Sequence, residues 1–187
     1  YTANTPDNKR FNKRELQREM GLPERNDIPL IGMVTRLTPQ KGVDLLEQVM
    51  DKLMECDIQL IVLGTGYPDY ENFMRYCEYA HHDKVRSCIM FSSSLAQKIY
   101  AGADVFLMPS RSEPCGLAQM IALRYGAIPI VHAVGGLKDT VHPFEAGSGT
   151  GNGVTFQSFN AYDMLDAIYR AMTIWYDKDQ LKTILRN

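Results

Sequence analysis

The sequence carries no surplus of positive charge. Twenty Lys and Arg stand against 22 Asp and Glu, a formal net charge of -2. That balance argues against nucleic acid or an anionic membrane surface as the main partner. No apolar run approaches the roughly 20 residues that cross a bilayer, so no transmembrane anchor is expected. Among the four cysteines, Cys56, Cys77, Cys88 and Cys115, there is no Cys-x-x-Cys pair. A zinc site and a disulfide framework are therefore unsupported, and the first three read as small apolar fillers. His81, His82, His132 and His142 are scattered without convergent ligands, so no metal is expected. Neither a Gly-x-x-x-x-Gly-Lys-Ser/Thr loop nor a full dinucleotide pattern occurs, since Gly64-Thr-Gly66 lacks its third glycine. P-loop phosphoryl transfer and NAD chemistry are both disfavoured. The chain opens at Tyr1, with no charged-then-apolar leader after it. A soluble, intracellular-type piece of a longer protein is the expectation.

What is present is the material of one globular domain. The 187 residues are 45% hydrophobic and 22% charged, enough for a real core. Short apolar segments at 28–35, 58–63, 85–91, 104–108, 127–131 and 153–156 read as strands. Between them lie helical patterns: Leu46, Val49, Met50 and Leu53 share one face, and further helices are expected over 69–81, 95–102 and 116–125. Met164, Leu165, Ile168, Met172 and Trp175 stripe a final long helix. Alternation at this spacing predicts an α/β, Rossmann-like, doubly wound parallel sheet of about six strands, apolar throughout because both faces are covered. Two stretches read as irregular: the polar, basic start at 9–14 and the glycine-rich 147–153, taken as a mobile surface loop.

In such sheets ligands bind beyond the carboxyl ends of the strands. After the first strand, Arg36 and Lys41 put two cations on one loop just before a helix start. Together they suit a diphosphate; a pair of solvated side chains is the plain alternative. After the fourth strand, Pro114 keeps Glu113 extended and Cys115-Gly-Leu117 opens the next helix. Glu113 is then either a carboxylate aimed into the crevice beside free backbone N–H groups, or half of a surface ion pair with Arg111. After the fifth strand, Gly135-Gly136 allow close backbone approach to a ligand, or simply make a turn. Phe91, at the end of the third strand, is placed to stack on a base or to fill the core.

Five motifs stand out: Thr35-Arg-Leu-Thr-Pro-Gln-Lys-Gly-Val-Asp-Leu45, Ile99-Tyr-Ala-Gly-Ala-Asp104, Pro109-Ser-Arg-Ser-Glu-Pro-Cys-Gly-Leu117, Ala122-Leu-Arg-Tyr-Gly126 and Gly135-Gly-Leu-Lys-Asp-Thr-Val141. Taken together, they resemble bacterial glycogen synthases and plant starch synthases. They occur in family order and span residues 29–175. The resemblance implies one half of a glycosyltransferase-B fold, the carboxyl-terminal sugar-nucleotide-binding domain (1–187), without its amino-terminal acceptor domain. It implies retaining transfer of glucose from ADP-glucose, or UDP-glucose, to the non-reducing end of an α-1,4-glucan, with no metal and no cofactor. Arg36 and Lys41 would hold the diphosphate, and Lys41 would offset charge as the glycosidic bond breaks. Glu113 would position the donor glucose, backbone at Cys115, Gly116 and Leu117 would contact phosphate or glucose, and Phe91 would stack on the base. Gly135 and Gly136 complete the expected substrate-binding set. The location implied is the cytoplasm in a bacterium or the plastid in a plant or alga.

Two departures narrow the resemblance. Many relatives in the wider fold carry a second Glu eight residues after the first, where this chain has Ile121; glycogen and starch synthases also lack it. Val134 stands where Thr is usual. Alone, the domain is expected to bind nucleotide and turn over essentially nothing. Two competing readings are another retaining sugar-nucleotide transferase of lipopolysaccharide or sucrose type, and a non-catalytic nucleotide- or glucan-binding module. No pyridoxal-phosphate lysine context of a phosphorylase is recognised.

Overall fold

The computed structural model describes residues 5–187; Tyr1 lies outside them. Six parallel strands form one sheet in the order β3-β2-β1-β4-β5-β6. They are β1 (Leu30–Val34), β2 (Gln59–Leu63), β3 (Val85–Cys88), β4 (Val105–Met108), β5 (Ile128–His132) and β6 (Val154–Phe156). The order reverses between β1 and β4, which pair through Ile31↔Val105 and Gly32↔Phe106. A crevice forms beyond the carboxyl ends of strands at such a switch.

Helices cover both faces, as the strand composition predicts. On one side α2 (Val43–Met54) and α7 (Ala161–Tyr176) pack Leu46, Val49, Leu53, Met164 and Ile168 onto the sheet. Each such side chain contributes about 1.5–3 kcal/mol by leaving water. The other side is layered by α4 (Ser93–Gly102), α5 (Ala118–Arg124) and α6 (Gly135–Thr140). Helix α3 (Pro68–Ala80) buries Met74 and Cys77, where burial pushes the Cys77 thiol up to about 12.

Four expectations need correction. Residues 9–14 are not irregular: they begin helix α1 (Lys9–Met20). Its inward face is Lys9, Lys13, Leu16 and Gln17, mostly polar, so hydrophobic periodicity does not reveal it. Lys9 Nζ bonds the carbonyls of Tyr100, Ala101 and Tyr125, and burial lowers its pKa to about 7. Lys13 Nζ reaches Asp104 Oδ2 at 2.7 Å. Strand β3 is not apolar throughout and stops at Cys88; it is a sheet edge and only Val85 is fully buried, which leaves Phe91 beyond it and 91% exposed. The glycine-rich stretch is a bonded turn, with bridges Pro143↔Gly153 and Glu145↔Thr150 and two bonds from Asn187 Nδ2 to the carbonyls of Gly149 and Gly151. Finally, an additional helix, α8 (Lys178–Arg186), follows α7 after a single residue; Asp177 Oδ1 caps it by accepting from the N–H groups of Asp179 and Gln180.

Candidate functional site

At the carboxyl ends of β1 and β4 the sheet opens into a cleft of about 270 Å³, lined by Arg36, Lys41, Glu113, Gly116 and Leu117 together with strand-end backbone. The loop after β1 leaves the sheet at Val34 and makes one short turn, Pro39–Lys41. Gly42 closes it at φ 82°, and a side chain there would lie 2.2 Å from the carbonyl oxygen of Pro109. Only glycine lets this loop nest against the loop after β4. The Arg111 N–H then donates to Gln40 O at 2.8 Å, which ties the two loops together.

That nesting brings Lys41 Nζ to 2.6 Å from Glu113 Oε2, with side chains 16% and 13% exposed. Of the Glu113 alternatives, the geometry is that of the crevice carboxylate. Arg111 instead stands 3.8 Å from Asp44 Oδ2 and lies over the Phe159 ring at 4.3 Å. Beyond Lys41, the Glu113 carboxylate receives, among the described residues, only a long 3.5 Å contact from Ser110 Oγ. Arg36 is exposed and makes no ion pair among the described residues. The cleft therefore holds one free guanidinium and one ammonium shared with a carboxylate.

Behind the Glu113 loop the carbonyls are committed. Glu113 O accepts the Gly136 N–H at 3.0 Å. Gln119 Nε2 donates to Cys115 O and Gly116 O, and to Thr140 Oγ1. Among the described residues the N–H groups of Cys115, Gly116 and Leu117 have no such partner, so this turn offers unused donors where it meets the cleft. An anion with several oxygens is what such donors and cations can hold.

The predicted set is thus brought together in part. Arg36, Lys41, Glu113, Gly116 and Leu117 line the cleft; Phe91, Cys115, Gly135 and Gly136 do not. Gly135 and Gly136 do allow a close approach, but to the protein's own backbone. A side chain at Gly135 would sit 2.2 Å from Glu113 O, and one at Gly136 would sit 2.1 Å from Cys115 O. Ser110, Gln119, Thr140 and His132 brace the loop and escaped the sequence reading. Gln119 gives a faint signal, a polar residue on the inward face of a short helix, and it is fully buried. Among the described residues, no group of three His, Cys, Asp or Glu could hold a metal ion, and no helix is long and apolar enough to cross a membrane.

The family described as "Glycosyl transferases group 1" matches residues 13–185. Glycogen synthase of Bacillus subtilis (strain 168) is 56% identical over 176 residues, 94% of this chain and 36% of that protein. The catalytic domain of starch synthase IV from Arabidopsis thaliana, solved bound to ADP and acarbose, superposes with a TM-score of 0.89 at 34% identity, covering 100% of this chain and 40% of that one. A sucrose-phosphate synthase from Thermosynechococcus elongatus follows at TM-score 0.71 and 26% identity, covering 92% of this chain and 42% of its own. The chain thus spans roughly two fifths of these relatives, in the same α/β architecture as one half of a glycosyltransferase-B fold. The chain belongs to the group 1 glycosyl transferases.

Proposed function

We propose that this chain is the carboxyl-terminal, donor-binding domain of a glycogen or starch synthase. The whole enzyme moves glucose from ADP-glucose to the non-reducing end of an α-1,4-glucan, with retention. The single observation that carries the reading is the 2.6 Å Lys41–Glu113 pair in the cleft, flanked by Arg36 and the unused N–H groups of 115–117. Its support from relatives is a glycogen synthase at 56% identity and a starch synthase structure that holds ADP.

In this reading Arg36 and Lys41 bind the diphosphate, and the N–H groups of Cys115, Gly116 and Leu117 take further phosphate oxygens or a glucose hydroxyl. Charge that grows on the leaving diphosphate meets the Lys41 ammonium in a half-buried setting, where it counts for more than in water. Glu113 accepts hydrogen bonds from the glucose hydroxyls and keeps Lys41 aimed. No metal enters the scheme, since the cations and N–H donors cover the charge. Phe91 stacks on a base only if the loop after β3 turns towards the cleft. The glucan itself is held mainly by an amino-terminal domain, and the chain works in the cytoplasm if its source is a bacterium.

Calorimetric titration of the chain with ADP and UDP side by side tests this. Saturable ADP binding, tighter than UDP, is expected. Tighter UDP binding moves the chain to another retaining sugar-nucleotide transferase. Binding of neither, also when the acceptor domain is present, leaves a module that keeps the fold without the activity.

A further inference from the structure

Behind the cleft, one buried side chain is satisfied at one end and orphaned at the other. Gln119 on α5 is fully buried, and its Oε1 has no hydrogen-bond partner among the described residues. That oxygen sits against Gly116, where an added Cβ would lie 2.6 Å from it. The amide nitrogen is crowded instead: Nε2 donates to Cys115 O at 3.2 Å, Gly116 O at 3.0 Å and Thr140 Oγ1 at 3.1 Å. Two of these partners are carbonyls, which only accept, so the atom between them is the NH₂ and not the oxygen. A methionine would fill the same space and orphan nothing. The volume of the site therefore does not account for the amide; its two N–H bonds do.

The peptide bonds that follow Cys115 and Gly116 are trans. In a planar trans peptide the carbonyl points opposite to the N–H of the next residue. Cys115 O is thus paired in direction with the Gly116 N–H, and Gly116 O with the Leu117 N–H. We propose that Gln119 is a positioning residue for the donor cleft: by drawing two successive carbonyls back toward α6, it turns the N–H groups of Gly116 and Leu117 forward to the phosphate side. The role deepens the function proposed above and rests on it. Both residues line the cleft, and neither N–H has a partner among the described residues. Gly116 stands at φ 69° and Leu117 at φ -114°, ψ -28°, a left-handed residue followed by a right-handed one. Successive N–H groups in such a turn make a concavity that suits an anion.

The amide is itself anchored. Thr140 ends α6; its Oγ1 accepts from Gln119 and donates to Gly136 O at 2.7 Å. Thr140 O in turn accepts from Asn152 Nδ2 at 3.1 Å. On the same side Gly136 closes the space, since a Cβ there would stand 2.1 Å from Cys115 O. The two carbonyls are held between a fixed donor and a fixed wall. A phosphate group then meets N–H groups already turned toward it, and no ordering of the loop is charged against its binding.

Calorimetric titration of the 187-residue chain with ADP and with inorganic pyrophosphate, beside Gln119→Met and Gln119→Glu, tests this. Gln119→Met removes the donors and keeps the volume; Gln119→Glu sets an acceptor against both carbonyls. Gln119→Met should weaken ADP and pyrophosphate by the same factor, about 2- to 10-fold, the range of one net hydrogen bond. Gln119→Glu should weaken both further; if it does not fold, Gln119→Met decides alone. The melting temperature of Gln119→Met should stay close to that of the natural chain, because losing the orphaned oxygen offsets losing the donors. A merely structural glutamine would lower that temperature and leave both affinities of the folded molecules unchanged, which overturns the proposal. A fall with ADP that spares pyrophosphate also overturns it, since the N–H groups would not be where the change acts. Where the natural chain binds ADP and not pyrophosphate, the fall with ADP decides. Where it binds pyrophosphate and not ADP, the function reading fails, and the pyrophosphate ratios still decide the role of Gln119. Binding of neither overturns both.

Discussion

Strand β4 carries a lysine–carboxylate pair at each of its ends. Before it, Lys13 and Asp104 meet at 2.7 Å; after it, Lys41 and Glu113 meet at 2.6 Å. The lengths are nearly the same and the surroundings are opposite. Lys13 also donates to Ile28 O and lies over the Trp175 ring, and Asp104 Oδ2 also accepts the Leu30 N–H. That pair is finished by backbone and joins α1 to the sheet. Among the described residues, the side chains of the Lys41–Glu113 pair have only the long Ser110 contact besides each other, and they face a cleft. What separates a structural ion pair from one able to work on a ligand is the number of remaining partners, not the separation of the charges.

The contrast is broken most forcefully at the amino end. Asp104→Ala leaves Lys13 as a buried, uncompensated cation and should cost about 3–5 kcal/mol of stability, read by urea unfolding. Folded molecules of this variant should keep their ADP affinity. Gly136→Ala comes next: the added carbon meets Cys115 O, and overpacking of this sort costs about 1–3 kcal/mol. Unlike Asp104→Ala, it should weaken ADP binding as well, because it displaces the loop of unused N–H donors. Lys41→Ala should cost less stability than Asp104→Ala, because the carboxylate it leaves faces the cleft, and cut ADP affinity by about 1.5–3 kcal/mol, the size of a charge-assisted hydrogen bond, read by calorimetry. Smallest is Glu113→Gln, which should leave ADP affinity nearly unchanged, because in this reading the carboxylate faces the glucose and not the diphosphate, while lowering turnover in the full-length enzyme. Loss of ADP binding in Glu113→Gln would mean that the carboxylate organises the phosphate site rather than the sugar.

The sheet was legible because five of its strands are apolar enough to be seen one by one, and the helices of its covered faces follow the period of 3.6. That Arg36, Lys41 and Glu113 share one cleft was legible for a simple reason: charge that follows a strand end at a topological switch faces the crevice there. Helix α1 was not, since Lys9, Lys13 and Gln17 turn inward to satisfy carbonyls and a buried carboxylate. Sequence patterns treat such residues as solvent-facing. Gly135 and Gly136 were read as approach points for a ligand, and the approach exists, but its object is the backbone of residues 113–115. Gln119 and His132 stayed hidden because their partners are main-chain carbonyls, which have no letter in the sequence.

Lys9 bonds carbonyls that lie 91, 92 and 116 residues further along the chain. During synthesis at roughly 5–20 residues per second, its last partner is made about 6–23 seconds after it. Through that interval the start of α1 stands in water ahead of those carbonyls. A face of two lysines and a glutamine around the single Leu16 can wait in water without recruiting other chains, where a leucine stripe would invite aggregation. The polarity that hid this helix from pattern reading also makes it safe to emerge well before the carbonyls it binds.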